Sequence, residues 1–159
     1  MIAIEAARRL PEIPFVMIAN SGDDEVERTI RASLPTNVTL VDYVPHDQMP
    51  SRFHQARLFL STGSAEHEGF PNILLEAAAA GVPTVAMSDF DNFLLESDSG
   101  VAAEENIDVL VQRLRWLWTD REQWRRHASA GRRFVQERHH PQRIVDAFVG
   151  AVKGLVERS

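Results

Sequence analysis

The chain has no cysteine, which excludes disulfides and thiolate metal sites. Lysine is almost absent: Lys153, near the C-terminus, is the single one. Tyrosine is equally scarce, with Tyr43 alone. No apolar run reaches the roughly 18 residues that suggest a membrane-spanning helix. The N-terminus sets Glu5 among apolar residues and lacks the layout of a signal peptide. These absences fit a cytoplasmic setting. The net charge of −6 argues against a dedicated nucleic-acid binder. Charge is nevertheless uneven. Nine arginines lie between Arg113 and Arg143, against Asp120, Glu122 and Glu137. Such a surplus suits an anionic membrane surface, a partner or a phosphate, and equally a solvated helical face.

What is present is an alternation of strand-length apolar runs and helical patterns over 159 residues, enough for one domain with a hydrophobic core. The segment Ile2 to Leu10 is predicted helical and ends at Pro11 and Pro14. Phe15 to Ala19 is a fully apolar strand, followed by the turn Asn20-Ser21-Gly22. A helix opens at Asp23 and Asp24 and runs to about Ser33. Strands follow at Val38 to Val44, Arg57 to Ser61, Pro83 to Met87 and, more briefly, Gly100 to Ala103. Helices are expected over Asp47 to Gln55, from Pro71 to Ala80, and near Asn92 to Glu96. Gly81 is a good C-terminal stop for the second of these. Ile107, Leu110, Val111, Leu114 and Trp118 form one helical stripe. Trp116 falls off that stripe and is expected at the surface. Trp124, Ala128 and Phe134 mark a second helix, and Ile144, Phe148 and Val152 a third. His139-His140 reads as a solvent-exposed turn. The expected fold is α/β: a Rossmann-like parallel sheet with helices on both faces and a helical C-terminal tail. Open sheets of this kind usually begin with a strand, whereas here a helix comes first, so the first strand is read as missing.

The informative stretch runs from Glu68 to Pro83. A polar loop, Thr62 to Gly69, leaves a strand and opens onto a helix. In parallel α/β sheets the ligand crevice lies at the carboxyl ends of the strands. A helix N-terminus offers free N–H groups and partial positive charge, which suits a phosphate. Pro71 has no N–H, so donors come from Gly69, Phe70, Asn72 and Ile73, and Gly69 allows close backbone approach. Glu76 is the single charge between Ile73 and Ala80 in a helix apolar almost all round. A buried carboxylate needs partners, and sugar hydroxyls are suitable ones. Asn72 lies four residues earlier, on the same face. The spacing alone leaves a second reading open, with Glu76 on one exposed stripe and Glu68 as a loop charge. Glu66-His67-Glu68 is a poor metal cage, since adjacent loop residues cannot readily surround an ion.

The string around these residues resembles the C-terminal, donor-binding domain of retaining family 4 glycosyltransferases of the GT-B fold. Glu68 and Glu76 stand with seven residues between them, as in that family's Glu-x7-Glu motif. Gly69-Phe70-Pro71, Leu74-Leu75-Glu76-Ala77 and Gly81-Val82-Pro83 also match. The resemblance implies that residues 1–159 form a single domain, one half of a GT-B fold. By resemblance Glu68, the catalytic candidate, would bond the transferred sugar. Backbone of Gly69, Phe70, Asn72 and Ile73, beside Pro71, would meet that sugar and the phosphates. Glu76 would hold the ribose, and backbone near Tyr43 and Val44 the base. No metal or other cofactor is implied. The partners implied are a nucleotide-diphosphate sugar and an N-terminal acceptor-binding domain, with peripheral membrane association of the parent as a further expectation and no nucleic acid.

The family's Arg and Lys facing the diphosphate, which come before the first residue here, have no counterpart in the chain. Asn20 and Asp42 stand where glycines are usual, and Asp89-Phe90-Asp91-Asn92 stands where the family often has Gly-Gly. The fragment alone is therefore expected to be inactive. The parent is expected to be a hexosyltransferase of glycan or polysaccharide biosynthesis that retains configuration. Two alternatives stand beside it: a non-catalytic nucleotide-sugar-binding module, and half of a nucleotide-sugar epimerase.

Overall fold

The structure is a computed structural model, and it describes residues 2–18, 24–64, 66 and 69–156. The first helix, α1 (Ile2–Arg9), buries Ile4, Ala6 and Ala7 on one face and stops ahead of Pro11. Its last carbonyls lack intrahelical donors. The side-chain amide of Asn37 meets this need, donating toward the carbonyls of Ala7, Leu10 and Ile13 at 3.0, 2.9 and 2.8 Å. That contact ties α1 to the start of the second strand.

Among the described residues five strands form, all parallel to their neighbours, in two sheets. β1 (Phe15–Ile18) pairs with β2 (Val38–Val41), from Phe15 opposite Val38 to Ile18 opposite Val41. β3 (Phe59–Ser61), β4 (Thr84–Ala86) and β5 (Gly100–Ala102) make the second sheet in that order, with β4 central and buried throughout. Both sheets rest on one core: Phe15 and Leu60 pack against a cluster that includes Leu10, Val85, Leu110 and Leu117.

Several expectations are corrected here. β1 is apolar at every position, yet Val16 is 63% and Ile18 39% exposed, so only one of its faces is covered. β2 ends at Val41 instead of Val44, because the chain turns at Asp42 on its way to Pro45, which has no N–H to give a ladder. The expected helix from Asp47 is a 3-10 turn, His46–Gln48, continuing into α3 (Met49–Gln55). Pro50 sits in the first turn of α3, where a missing N–H costs little. Asn20 and the other residues of the turn after β1 lie outside the described residues.

α2 (Asp24–Ser33) links β1 and β2, and α4 (Ile73–Ala80) links β3 and β4. α5 (Phe93–Ser97) precedes β5, and the helical part of the chain follows as α6 (Ile107–Thr119), α7 (Arg121–Arg138) and α8 (Pro141–Val156). Side-chain caps set two of these starts. Asn106 accepts from the N–H groups of Asp108 and Val109, and Asp120 from those of Glu122 and Gln123. α6 buries Leu110, Val111, Leu114 and Leu117. Leu117 is thus a core residue outside the expected stripe, and Trp116 is half-buried, with its ring edge-on to buried His127 at 6.1 Å. α8 is amphipathic but shows its apolar side: Ile144, Val145, Phe148, Val149 and Val152 are all exposed.

Candidate functional site

α4 positions the candidate site. Pro71 and Asn72 enter the helix: the Leu74 N–H donates to the Pro71 carbonyl at 3.0 Å and the Glu76 N–H to that of Asn72 at 3.1 Å. Asn72 already has helical angles, φ −55° and ψ −24°, and its side chain caps nothing. Pro71 brings no donor. Among the described residues, no partner takes up the N–H groups of Gly69, Phe70, Asn72 or Ile73. Among the described residues, the N-terminal end of α4 is therefore a set of donors without acceptors at the positive end of a helix dipole.

The other end of α4 is closed. Gly81 adopts the left-handed conformation, φ 71°. Its N–H donates to the Ala78 carbonyl at 2.9 Å and that of Val82 to Ala77 at 2.9 Å, a Schellman arrangement. α7 holds α4 in place at Gly131, where an added Cβ would come within 2.7 Å of the Ser99 Cβ and 3.3 Å of the Ala78 Cβ.

Glu76 points into neither the core nor open solvent. It is half-buried and lines a cleft of about 370 Å³ between α3 and α4, with His46, Pro50, Phe53, His54, Ala79 and Ala80. Among the described residues, none forms a hydrogen bond or ion pair with its carboxylate. The exposed position on this helix is Ala79, three residues on and so on the same face as Glu76, and Glu76 itself is only partly covered, so Glu76 lies on the more open stripe of α4 and lines a cleft there. Beside Pro50 and Phe53, the carboxylate offers two acceptor oxygens to the cleft.

The other sequence-predicted residues are spread around this point. Gly69 is exposed, and a side chain there would meet nothing within 4 Å, so the protein's own packing does not demand its glycine. Phe70 and Pro71 are half-buried, Asn72 is exposed and Ile73 packs toward Phe53 and Val82. Phe70 lines a different cleft, on the α7 side of α4. Tyr43 is 62% exposed while Val44 is buried. They lead into Pro45 and His46 and so stand at the approach to the Glu76 cleft without lining it. Glu68 lies outside the described residues, as does His67 of the Glu66-His67-Glu68 string. Among the described residues, no group of three His, Cys, Asp or Glu could hold a metal ion.

His46 and His54 were missed by the sequence reading. They come from a turn and a helix outside the motif, and only the packing of α3 on α4 brings them beside Glu76. The pattern that could have flagged them is Pro45-His46 entering a helix whose Phe53 is an inward position. His139, expected in an exposed turn, is half-buried with its ring tilted against Phe134 at 5.7 Å.

The sequence profile of a family described as Glycosyl transferase-like matches residues 2–150. No match is found among curated proteins. Among solved structures, the chain is similar to WaaG, a glycosyltransferase involved in lipopolysaccharide biosynthesis. The identity is 20%, the TM-score 0.67, and the match covers 85% of this chain and 38% of that one. It is similar to the C-terminal domain of a group 1 family glycosyl transferase, LpcC, from Francisella tularensis, at 18% identity and TM-score 0.65, covering 88% of this chain and 76% of that one. A UDP-N-acetylglucosamine 2-epimerase fold from Listeria monocytogenes also aligns, at 15% identity and TM-score 0.64, over 99% of this chain and 40% of that one. These likenesses are of fold. The chain spans about two fifths of the length of the WaaG and epimerase structures.

Proposed function

The chain belongs to the glycosyl transferase-like family, and we propose that it is the donor-binding half of a two-domain glycosyltransferase, holding a nucleotide-diphosphate sugar at α4. One observation carries this reading: the half-buried Glu76 carboxylate, without a partner among the described residues, lines a cleft along the Ala79–Ala80 side of α4, the helix whose N-terminal N–H groups have no partner among the described residues either. In the proposed complex Glu76 accepts the ribose hydroxyls. The diphosphate lies against the N–H groups of Gly69, Phe70, Asn72 and Ile73, and the base is met by backbone near Tyr43 and Val44. Glu68 bonds the transferred sugar as the catalytic candidate. Charge grows on the departing diphosphate in the transition state, so fixed donors at a helix terminus stabilise that state more than the bound substrate.

Transfer in this proposal retains configuration, passes through an oxocarbenium-like transition state and uses no metal. The partner is an acceptor-binding domain of a longer parent, and the setting is glycan or polysaccharide assembly at the inner face of a membrane. The chain has no lysine near α4 to face the diphosphate, Lys153 lying far along in α8. In this proposal the chain by itself does not transfer sugar, since the acceptor surface belongs to another domain. The epimerase likeness supports a second reading, half of an enzyme that acts on a nucleotide sugar without transferring it.

Calorimetry of the chain with UDP, GDP and ADP tests the proposal. Weak binding of at least one is expected, and Glu76→Gln should reduce it about tenfold, the loss of a charge-assisted pair of hydrogen bonds. Unchanged affinity removes Glu76 from the site. Product analysis on the full-length parent then separates transfer from epimerisation.

A further inference from the structure

On the α7 side of α4 a second cleft, of about 430 Å³, opens beside Phe70. Its wall is a run of edge-packed rings: Phe70 to Phe93 at 5.3 Å between centroids, Phe93 to Phe134 at 5.8 Å. Phe93 is buried beneath, while Phe70 and Phe134 are half-buried and face the opening. The rim carries Asp91, Glu96 and Arg138, all exposed. Arg138 lies over the Phe134 ring at 5.1 Å and reaches Glu96 only at 3.8 Å, so the guanidinium and both carboxylates keep free hydrogen-bonding capacity.

The rim is fixed by backbone geometry. Asp91 and Asn92 are consecutive non-glycine residues in the left-handed region, φ 52° and 57°. Asp89 holds the turn that contains them, accepting from the N–H groups of Leu94 at 2.8 Å and Leu95 at 3.0 Å. Left-handed backbone costs energy for residues with a side chain and persists where the surroundings over-determine it, often beside a binding site. Here it places the Asp91 carboxylate at the mouth of the cleft.

We infer that this cleft is a second carbohydrate site, taking a neutral pyranosyl unit apart from the nucleotide. Arg138 and the His139 ring already lie against Phe134 and Phe93 is buried, so Phe70 is the ring offered to the C–H face of a pyranose, and carboxylates on the rim accept its hydroxyl protons, two from each in favourable geometry. Two carboxylates against one guanidinium leave the rim net negative, which disfavours a phosphate and favours an uncharged polyol. Phe70 belongs both to this wall and to the loop that opens α4, so a sugar bound here lies next to the proposed donor phosphates, as an acceptor or a second residue of a glycan would. The inference rests on the sugar-transfer reading for that placement, while the cleft's own chemistry stands apart from it.

The test is an NMR titration of the amide-labelled chain with methyl α-D-glucopyranoside and methyl β-D-galactopyranoside, and separately with UDP. At least one glycoside should give saturable shifts on Phe70, Phe93, Glu96 and Phe134. The double variant Asp91→Asn, Glu96→Gln keeps shape, since asparagine tolerates the left-handed backbone, and should weaken that binding about tenfold without altering the UDP response. The same spectra report whether the variant is folded. Three outcomes overturn the inference: no saturable shift with either glycoside, shifts confined to the His46 and His54 cleft, or affinity unchanged in the double variant. Glycoside binding without any UDP response leaves this site standing and removes the nucleotide site instead.

Discussion

Arg132 of α7 fills the space that a side chain at Gly81 would need. Its Nη2 donates to the Ala80 carbonyl at 2.8 Å, and a Cβ built on Gly81 would lie 2.5 Å from the same atom. The glycine thus lets α4 turn with φ 71° and leaves room for a cationic cap on the helix's negative end. Gly81→Ala should destabilise the chain by about 1–2 kcal/mol from the left-handed backbone alone. Urea unfolding measures it, and a cost near zero would show that the turn relaxes freely.

Gly100 faces a harder obstacle. A Cβ there would meet the Thr84 carbonyl oxygen at 2.0 Å, backbone against backbone in the β4–β5 pair. Neither partner can swing aside as an arginine side chain can. Gly100→Ala should therefore cost more than Gly81→Ala, on the order of 3 kcal/mol or above. A thermal midpoint at or above that of Gly81→Ala would contradict this.

Glu12 sets a test of pH dependence. A hydrogen bond from its own backbone, then one from Arg115 with Nε–Oε1 at 3.0 Å, hold its carboxyl below the usual carboxylate range. A carboxyl lowered in the folded state binds protons less readily than in the unfolded chain. Its stabilisation is present above the unfolded value and disappears as pH falls through the folded one. The pair is exposed, so the effect is small. Denaturation midpoints of the chain and of Glu12→Gln should differ near neutrality and converge in acid, and a constant difference would remove Glu12 as the source.

Phe148 is 69% exposed on α8, amid a stripe of exposed valines and Ile144. Its burial contributes little to this fold, so Phe148→Ser should change unfolding free energy by less than about 0.5 kcal/mol. Calorimetric scans of both forms check this, and a clear loss would mean that α8 packs on the core in solution.

His54 offers a reading of the site itself. It lines the cleft with Glu76 but lies outside the sequence motif. If the nucleotide occupies that cleft, His54→Ala should weaken UDP, GDP or ADP binding by severalfold, the loss expected for one hydrogen bond. Equal affinity in calorimetry would place the ligand elsewhere along α4.

The α/β alternation, the helix expected from Pro71 to Ala80 and the three later helices were legible because each carries a local signal. Pro71 lacks an N–H, Gly81 tolerates positive φ, and Leu110, Val111 and Leu114 repeat at helical spacing. The end of β2 was misread, since Tyr43 and Val44 have strand chemistry but Pro45 brings the chain to a turn. Trp116 was misplaced because a stripe drawn along one helix ignores α7, whose His127 meets its ring, and the stripe left out Leu117, which packs into the main core. His46 and His54 carried only the mark of Pro45-His46 ahead of a helix with Phe53 inward, and nothing local tied them to Glu76.

The sequence by itself determined that α4 is an apolar helix with one carboxylate, free donors at its start and a glycine stop, for these follow from residue chemistry at near-neighbour spacing. The tertiary structure alone decided what that carboxylate faces. The packing of α3 along α4 joins residues 46, 54 and 76 around one cleft and leaves Glu76 half-buried without a described partner. The physical reason is that burial and pairing depend on elements distant in the chain, whose approach is fixed by packing such as Phe53 of α3 against Ala77 and Val82 and not by any motif.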